Sequence, residues 1–193
     1  MPIQFITPSI ISSVANTQVT GTITASQIAT VNANTITTGT IPVAQIPQLS
    51  AAKLPTGSVL QVVQGTTTTQ VSTTGITLID TGLTATITPT SASSKILVMV
   101  DQSSVGKANA DERVKIVLLR NSTQIATLTE LAAYNAAAQN NDIGSVTISY
   151  LDSPATTSAT TYKTQFSTIN GNGSAIVQWN PSTSTITLME IAG

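Results

Sequence analysis

The side chains that most often carry chemistry are either missing from this chain or fail to converge. Its 193 residues include no histidine and no cysteine. Nucleophile–base–carboxylate triads therefore have no imidazole or thiol to build on, and zinc sites lose their two best ligands. Ser94-Lys95 is a neighbouring Ser–Lys pair, but adjacent strand residues point to opposite faces, so the two are not expected to cooperate. Glycoside cleavage needs two carboxylates across a sugar bond. Eight acidic residues are present, and Asp111-Glu112 is their only adjacent pair. Beside Lys107 and Arg113 it reads as a solvated set of loop charges. Asp101, Asp111 and Glu112 would share a cation only if residues 102–112 folded back, and no EF-hand spacing supports that. Gly171 and Gly173 lack the strand–helix context and the Lys of a phosphate loop. The reading is a non-enzymatic chain with no catalytic residue, no metal and no cofactor.

Binding chemistry is better represented. A sugar is gripped by an aromatic face with amides at its rim, because the ring covers C–H bonds and the amides bond hydroxyls. Trp179 lies between Gln178 and Asn180, downstream of the turn Asn170-Gly171-Asn172-Gly173. Tyr134 is followed by Asn135, Gln139 and Asn140. Tyr134, Asn135, Gln139, Asn170, Asn172 and Trp179 are the candidate receptor-binding residues. A core or interface anchor is the simpler role for Trp179, and Tyr150, Tyr162 and Phe166 read as core.

The elements that would hold these residues are strands. Charged residues make up 8% of the chain against a usual ~25%. Threonine, at 36 residues, wets the surface instead. β-Branched Thr, Val and Ile favour strands over helices. A net charge of -1 offers no basic patch, which speaks against nucleic-acid binding. The start, Met1-Pro2-Ile3-Gln4-Phe5-Ile6, does not read as a signal peptide, and no apolar run reaches the ~18 residues of a membrane span. Two Asn-X-Ser/Thr triplets, at Asn121 and Asn172, are the number chance supplies in so Asn- and Thr-rich a chain.

Residues 1–52 carry no charge at all, the first being Lys53. Within them Thr20-Gly21-Thr22-Ile23 leads to Gln27-Ile28, and 18 residues later Thr38-Gly39-Thr40-Ile41 leads to Gln45-Ile46. A fixed period suggests a stacked, quasi-linear element. One copy offers too few apolar side chains to offset its ordering entropy. It is expected either to intertwine with other copies or dock on a partner, or to serve as a Thr/Ser-rich linker, reaching at most ~180 Å. Pro42, Pro47 and Pro55 punctuate its end. Residues 1–55 are thus an anchoring and shaft segment, and residues 56–193 a separate domain.

In that domain eleven apolar runs are separated by turn residues. They are 58–64, 67–72, 76–80, 83–88, 95–101, 113–120, 123–128, 143–151, 160–169, 175–179 and 185–191. Such spacing predicts a sandwich or barrel. Tyr162, Thr164 and Phe166 should share one face, with Lys163 and Gln165 on the other. Ile96-Leu97-Val98-Met99-Val100 is apolar throughout, as in a strand covered on both sides, the second cover being a neighbouring subunit. Thr81-Gly82, Pro89 and Pro154 are expected breaks. Residues 102–112 and 130–142 read as loops, the second with room for a helical turn.

The segments Leu54–Val63, Ser93–Val100, Tyr150–Thr156 and Ser184–Ile191 resemble a C-terminal domain that recurs in structural proteins of marine and freshwater phages, cyanophages prominent among them. The likeness spans about residues 54–193. It implies a virion protein: a short tail fibre on the tail or baseplate, or alternatively a capsid head fibre or decoration protein. It further implies an all-β fold, a C-terminal jelly-roll-like β-sandwich behind an extended, intertwined N-terminal segment. The implied partners are two further copies in a homotrimer, other virion proteins through residues 1–55, and a host-surface glycan or lipopolysaccharide at the outer loops. Neither nucleic acid nor membrane insertion is implied.

Overall fold

A computed structural model of the protein describes residues 54–108, 111–136 and 139–193. The expected anchor, up to residue 53, lies outside the described residues. Within them the chain forms twelve strands and no helix. These are β1 (Val59–Thr67), β2 (Val71–Thr73), β3 (Ile79–Ile87), β4 (Lys95–Gln102), β5 (Gly106–Ala108) and β6 (Glu112–Arg120). Then come β7 (Thr123–Asn135), β8 (Asn141–Asp142), β9 (Val146–Asp152), β10 (Thr160–Thr168), β11 (Ser174–Val177) and β12 (Ser184–Ile191).

All pairings are antiparallel. One sheet has the order β1-β12-β4-β9, and the facing sheet has the order β3-β10-β6-β7. A third, shorter sheet runs β2-β11-β5-β8. Each of its strands is the chain neighbour of its counterpart in the first sheet: β1 leads to β2, β4 to β5, β8 to β9 and β11 to β12. The first and third sheets are therefore one four-stranded sheet broken across its width. With that merger the domain is an eight-stranded jelly roll, two four-stranded sheets joined by Greek-key crossovers.

The break has a local cause. Three of its four crossings contain a left-handed residue, Ser104 (φ 47), Gly144 (φ 80) and Gln178 (φ 50), which turns the strand without ending it. Backbone bonds carry the ladder through, with Gln178 N donating to Ser103 O (3.1 Å) and Val105 N to Gly144 O (2.8 Å).

Two apolar clusters fill the sandwich, one under each part of the broken sheet. Ile87, Ile96, Val98, Tyr162, Ile186 and Leu188 belong to the first. Val105, Val114, Ile116, Phe166, Ala175 and Val177 belong to the second. Each fully buried Ile or Leu contributes about 1.5–3 kcal/mol. Between the clusters lies a layer of buried polar side chains: Thr81, Gln102, Thr164, Gln178 and Ser184. Thr164 Oγ1 donates to Gln102 Oε1 (2.9 Å), and Thr81 and Thr164 hydroxyls are 2.6 Å apart. Gln102 Nε2 and Ser103 N donate to Ser184 Oγ (3.1 and 2.9 Å). The Gln178 orientation that satisfies every group has its Nε2 donating to Thr69 O (3.1 Å) and Thr81 O (3.3 Å), while its Oε1 accepts from Ser184 Oγ (2.9 Å) and Gln102 Nε2.

The alternation read from the sequence holds. Tyr162, Thr164 and Phe166 are buried, and Lys163 and Gln165 face out. Three expectations need correction. Thr81-Gly82 does not end a strand: Gly82 (φ 83) marks an irregularity inside β3. The expected loop over 130–142 is strand to Asn135, because β7 follows β6 through several bulges, with Ala133 at φ 56. The 102–112 stretch contains β5, whose Gly106-Lys107-Ala108 pairs with both β11 and β8.

Candidate functional site

At one end of the sandwich the turn after β10 is gathered around a single carboxylate. Glu112, the first residue of β6, is fully buried. Its Oε1 accepts from the backbone N–H groups of Arg113 (2.9 Å), Ile169 (3.0 Å) and Asn170 (3.0 Å). Its Oε2 accepts from those of Asn172 (2.8 Å) and Gly173 (3.3 Å). Burial pushes the carboxyl's pKa up, but the amides of Asn170, Arg113, Ile169 and Asn172 outweigh it and hold the group below the ordinary glutamate range. Glu112 is thus not part of a solvated charge set. It is an ionised clamp with both oxygens occupied, whereas its neighbour Asp111 is exposed. A glycosidase acid needs the opposite shift.

The clamp fixes the position of Arg113. Its guanidinium carbon stands 5.5 Å from the centroid of the Tyr134 ring, and Nη2 donates to Asn170 Oδ1 (3.3 Å). Asn170 Nδ2 in turn donates to Asp111 O (2.7 Å). Tyr134 is 48% exposed under this cation–π cap. Alongside runs an open groove of about 430 Å³ lined by Arg113, Thr129, Glu130, Leu131 and Ile169. Leu131 is 61% exposed on its wall, and Glu130 pairs with Lys115 at 2.8 Å. A positive guanidinium and an apolar edge line this open trough, with the Arg113-capped Tyr134 ring beyond its lining, an arrangement that suits reversible binding of an uncharged or anionic polar ligand.

Of the six sequence candidates, Tyr134, Asn170 and Asn172 come together around Glu112 and Arg113. Asn135 adjoins Tyr134, but its side-chain Oδ1 is buried, and its backbone carbonyl accepts from Lys107 Nζ at 2.9 Å. Gln139 is exposed in the link to β8. Trp179 stands apart. Its ring occupies the space above Gly106, where an added Cβ would come within 2.5 Å of it, and its backbone bonds Ser104 O and Ser182 Oγ. It covers the broken sheet, which agrees with the anchor role. Arg113 and Leu131 were not singled out from sequence. Arg113 adjoins the acidic pair that was weighed, but its reach to Tyr134 and Asn170 depends on β7 continuing to Asn135. Among the described residues no three His, Cys, Asp or Glu gather as metal ligands.

A second carboxylate works the same way at the β12 end. Glu190 is fully buried. It accepts from Gln61 Nε2 (2.6 Å), Thr90 N (2.7 Å) and Thr90 Oγ1 (2.8 Å). Burial raises its pKa, and bonds from Gln61, Ser94 and Thr90 more than reverse that. Tyr162, Asp152 and Arg120 form a third polar group: Tyr162 OH donates to Asp152 Oδ2 (2.7 Å), and Arg120 Nη1 reaches both Asp152 oxygens (3.0 and 2.9 Å). Burial, then the Asp152 carboxylate, push the Tyr162 hydroxyl far up.

Fold and site together define a jelly-roll β-sandwich with an open surface groove and structural carboxylate clamps. No protein-family model and no curated protein matches the chain.

Proposed function

We propose that the protein is a structural component of a phage particle, a short tail fibre whose residues 1–55 attach it to the tail or baseplate and whose jelly roll is displayed outward. The observation that carries this reading is the joining of two unlike parts. An uncharged segment of 52 residues with an 18-residue repeat precedes a strand-only domain wetted by threonine. In this role the Tyr134–Arg113–Asn170 group and its groove meet a host-surface glycan, the ring covering C–H faces and Arg113 bonding hydroxyl or acidic groups. Immunogold labelling of intact particles tests the placement: label at the tail or baseplate is expected, and particles without label would end the reading. Label on the head would instead select a second reading, a capsid head fibre or decoration protein.

A further inference from the structure

The two outer faces of the jelly roll differ in kind. On the β3-β10-β6-β7 sheet the outer positions of β3 and β10 are polar and paired, while Val117 and Leu119 on the same side of β6 are buried. Lys163 reaches Asp80 at 2.7 Å, Gln165 Nε2 donates to Asp80 Oδ1 at 2.7 Å, and the Thr86 and Thr161 hydroxyls are 2.8 Å apart. The outer face of the β1-β12-β4-β9 sheet carries one wholly apolar row, beside a row of Gln64, Thr187, Met99 and Ser149. Its inward side chains are Ile96, Val98 and Val100 of β4 and Ile186 and Leu188 of β12, so Leu97, Met99 and Met189 point outward. The registers pair Val62 with Met189, Met189 with Leu97, and Leu97 with Leu151. Four apolar side chains thus form one row across all four strands. Met99 and Ile191 extend it along the strands, and Val62 and Leu151 are 55% and 53% exposed.

Charge on this face is confined to β4. Its outer positions read Lys95, Leu97, Met99, Asp101, a cation and an anion at opposite ends of an apolar pair. Neither charge makes an ion pair among the described residues, and Asp101 Oδ1 is enclosed without a hydrogen-bond partner. The pattern is self-complementary under a two-fold axis that lies between two such faces and crosses the strands. That axis sets Lys95 of each copy over Asp101 of the other, and Leu97 over Met99. Four strands at ~4.8 Å spacing and eight residues at ~3.3 Å rise give roughly 500 Å² of face per copy, or roughly 1,000 Å² for a pair. That reaches the lower bound of a specific interface, with Leu97 and Met99 at its centre, the rest of the apolar row lying over Gln64, Thr187 and Ser149 of the other copy, and the charges toward the strand ends.

We propose that the outer face of the β1-β12-β4-β9 sheet packs against the same face of a second copy of this chain, in a two-fold contact centred between Leu97 and Met99 and closed by Lys95–Asp101 pairs. The contact goes beyond the fibre reading. The resemblance implies three copies, whereas this face joins copies in twos, whatever residues 1–55 attach to. It makes the sequence reading of the Ile96–Val100 strand more specific: the outer cover expected from a neighbouring subunit is the same strand of that subunit.

The absence of cysteine leaves a clean background for a test on the purified full chain, away from any particle. Packed sheets lie ~10 Å apart, too far for a direct disulfide, so a short bis-maleimide is the probe. Full-length Leu97→Cys mixed with full-length Met99→Cys should give cross-linked pairs, while Thr86→Cys, on the opposite outer face, should give none. Lys95→Asp in both partners should lower the yield on the order of tenfold, and Lys95→Asp with Asp101→Lys should restore it. Unchanged thermal unfolding of the single-cysteine chains shows that each is folded. No copy-to-copy product, a yield indifferent to Lys95→Asp, or no recovery in the charge swap would overturn the contact. Because particle labelling reads placement and cross-linking reads this face, failure of one does not imply failure of the other.

Discussion

At the scale of single residues, the most consequential groups are those whose partners lie far along the chain. Glu112 accepts five backbone N–H bonds, four of them from residues 169–173. Replacing it with Gln puts an NH₂ donor among amide donors and removes the charge that strengthens the bonds that remain. Loss of about 2–4 kcal/mol is expected for Glu112→Gln, checked by urea unfolding, with faster amide exchange at 169–173. Tyr134 is 48% exposed, so Tyr134→Ala is expected to change stability by under ~1 kcal/mol while weakening the host-surface adsorption proposed above. Glycan-array or adsorption measurements on the variant check that split, and equal adsorption would remove Tyr134 from the site.

At the scale of elements, the broken sheet sets the geometry. Its polar layer crosses the sandwich at one level, between Val100 and Val105 on one sheet and between Tyr162 and Phe166 on the other. Such a layer pins register, because a slip of one residue would bury unpaired amides and hydroxyls. Gln102→Leu removes one partner each from Thr164, Ser184 and Gln178, and a cost of about 2–4 kcal/mol is expected in denaturant titration. Two glycines mark close approaches. A Cβ at Gly65 would overlap the Thr84 carbonyl oxygen where β1 meets β3, and one at Gly106 would come within 2.5 Å of the Trp179 ring and 2.9 Å of Asn141 O. Backbone cannot yield cheaply, so Gly65→Ala should be the more damaging, by about 3 kcal/mol or more. Matched thermal melts decide the order.

At the scale of the whole molecule, buried carboxylates make stability depend on acid. The folded-state pKa values of Glu112 and Glu190 are held below the ordinary value of 4.5, and that of Asp80 is lowered as well. The unfolded chain then binds protons before the folded one does as pH falls. Stability from these groups is fully present above about pH 5 and is lost as pH drops through and below 4.5. Thermal unfolding should be flat between pH 6 and 8, where no histidine titrates, and should fall steeply below about pH 4.5. In Glu112→Gln that acid slope should be shallower, since one of the titrating groups is gone.

What the sequence by itself determined follows from local periodicity and composition. β-Branched residues and period-two alternation specify strands and their inward faces, which is why Tyr162 and Phe166 were legible as core. The lack of His and Cys removed triads and thiol chemistry before any fold was known. Half of the candidate binding residues were legible too, as an exposed Tyr134 and an Asn-Gly turn. The tertiary structure alone decided that Tyr134 and Asn170 flank Arg113, that Glu112 is a clamp, that Trp179 lies on Gly106, and that one outer face carries an apolar row across four strands. Each of these depends on which strands become neighbours. Alternation fixes the face on which a side chain lies, but neighbours come from pairing between residues up to about 130 positions apart, such as Gln61 with Glu190. That pairing is selected by burial of the whole sandwich, and no short window of sequence records it.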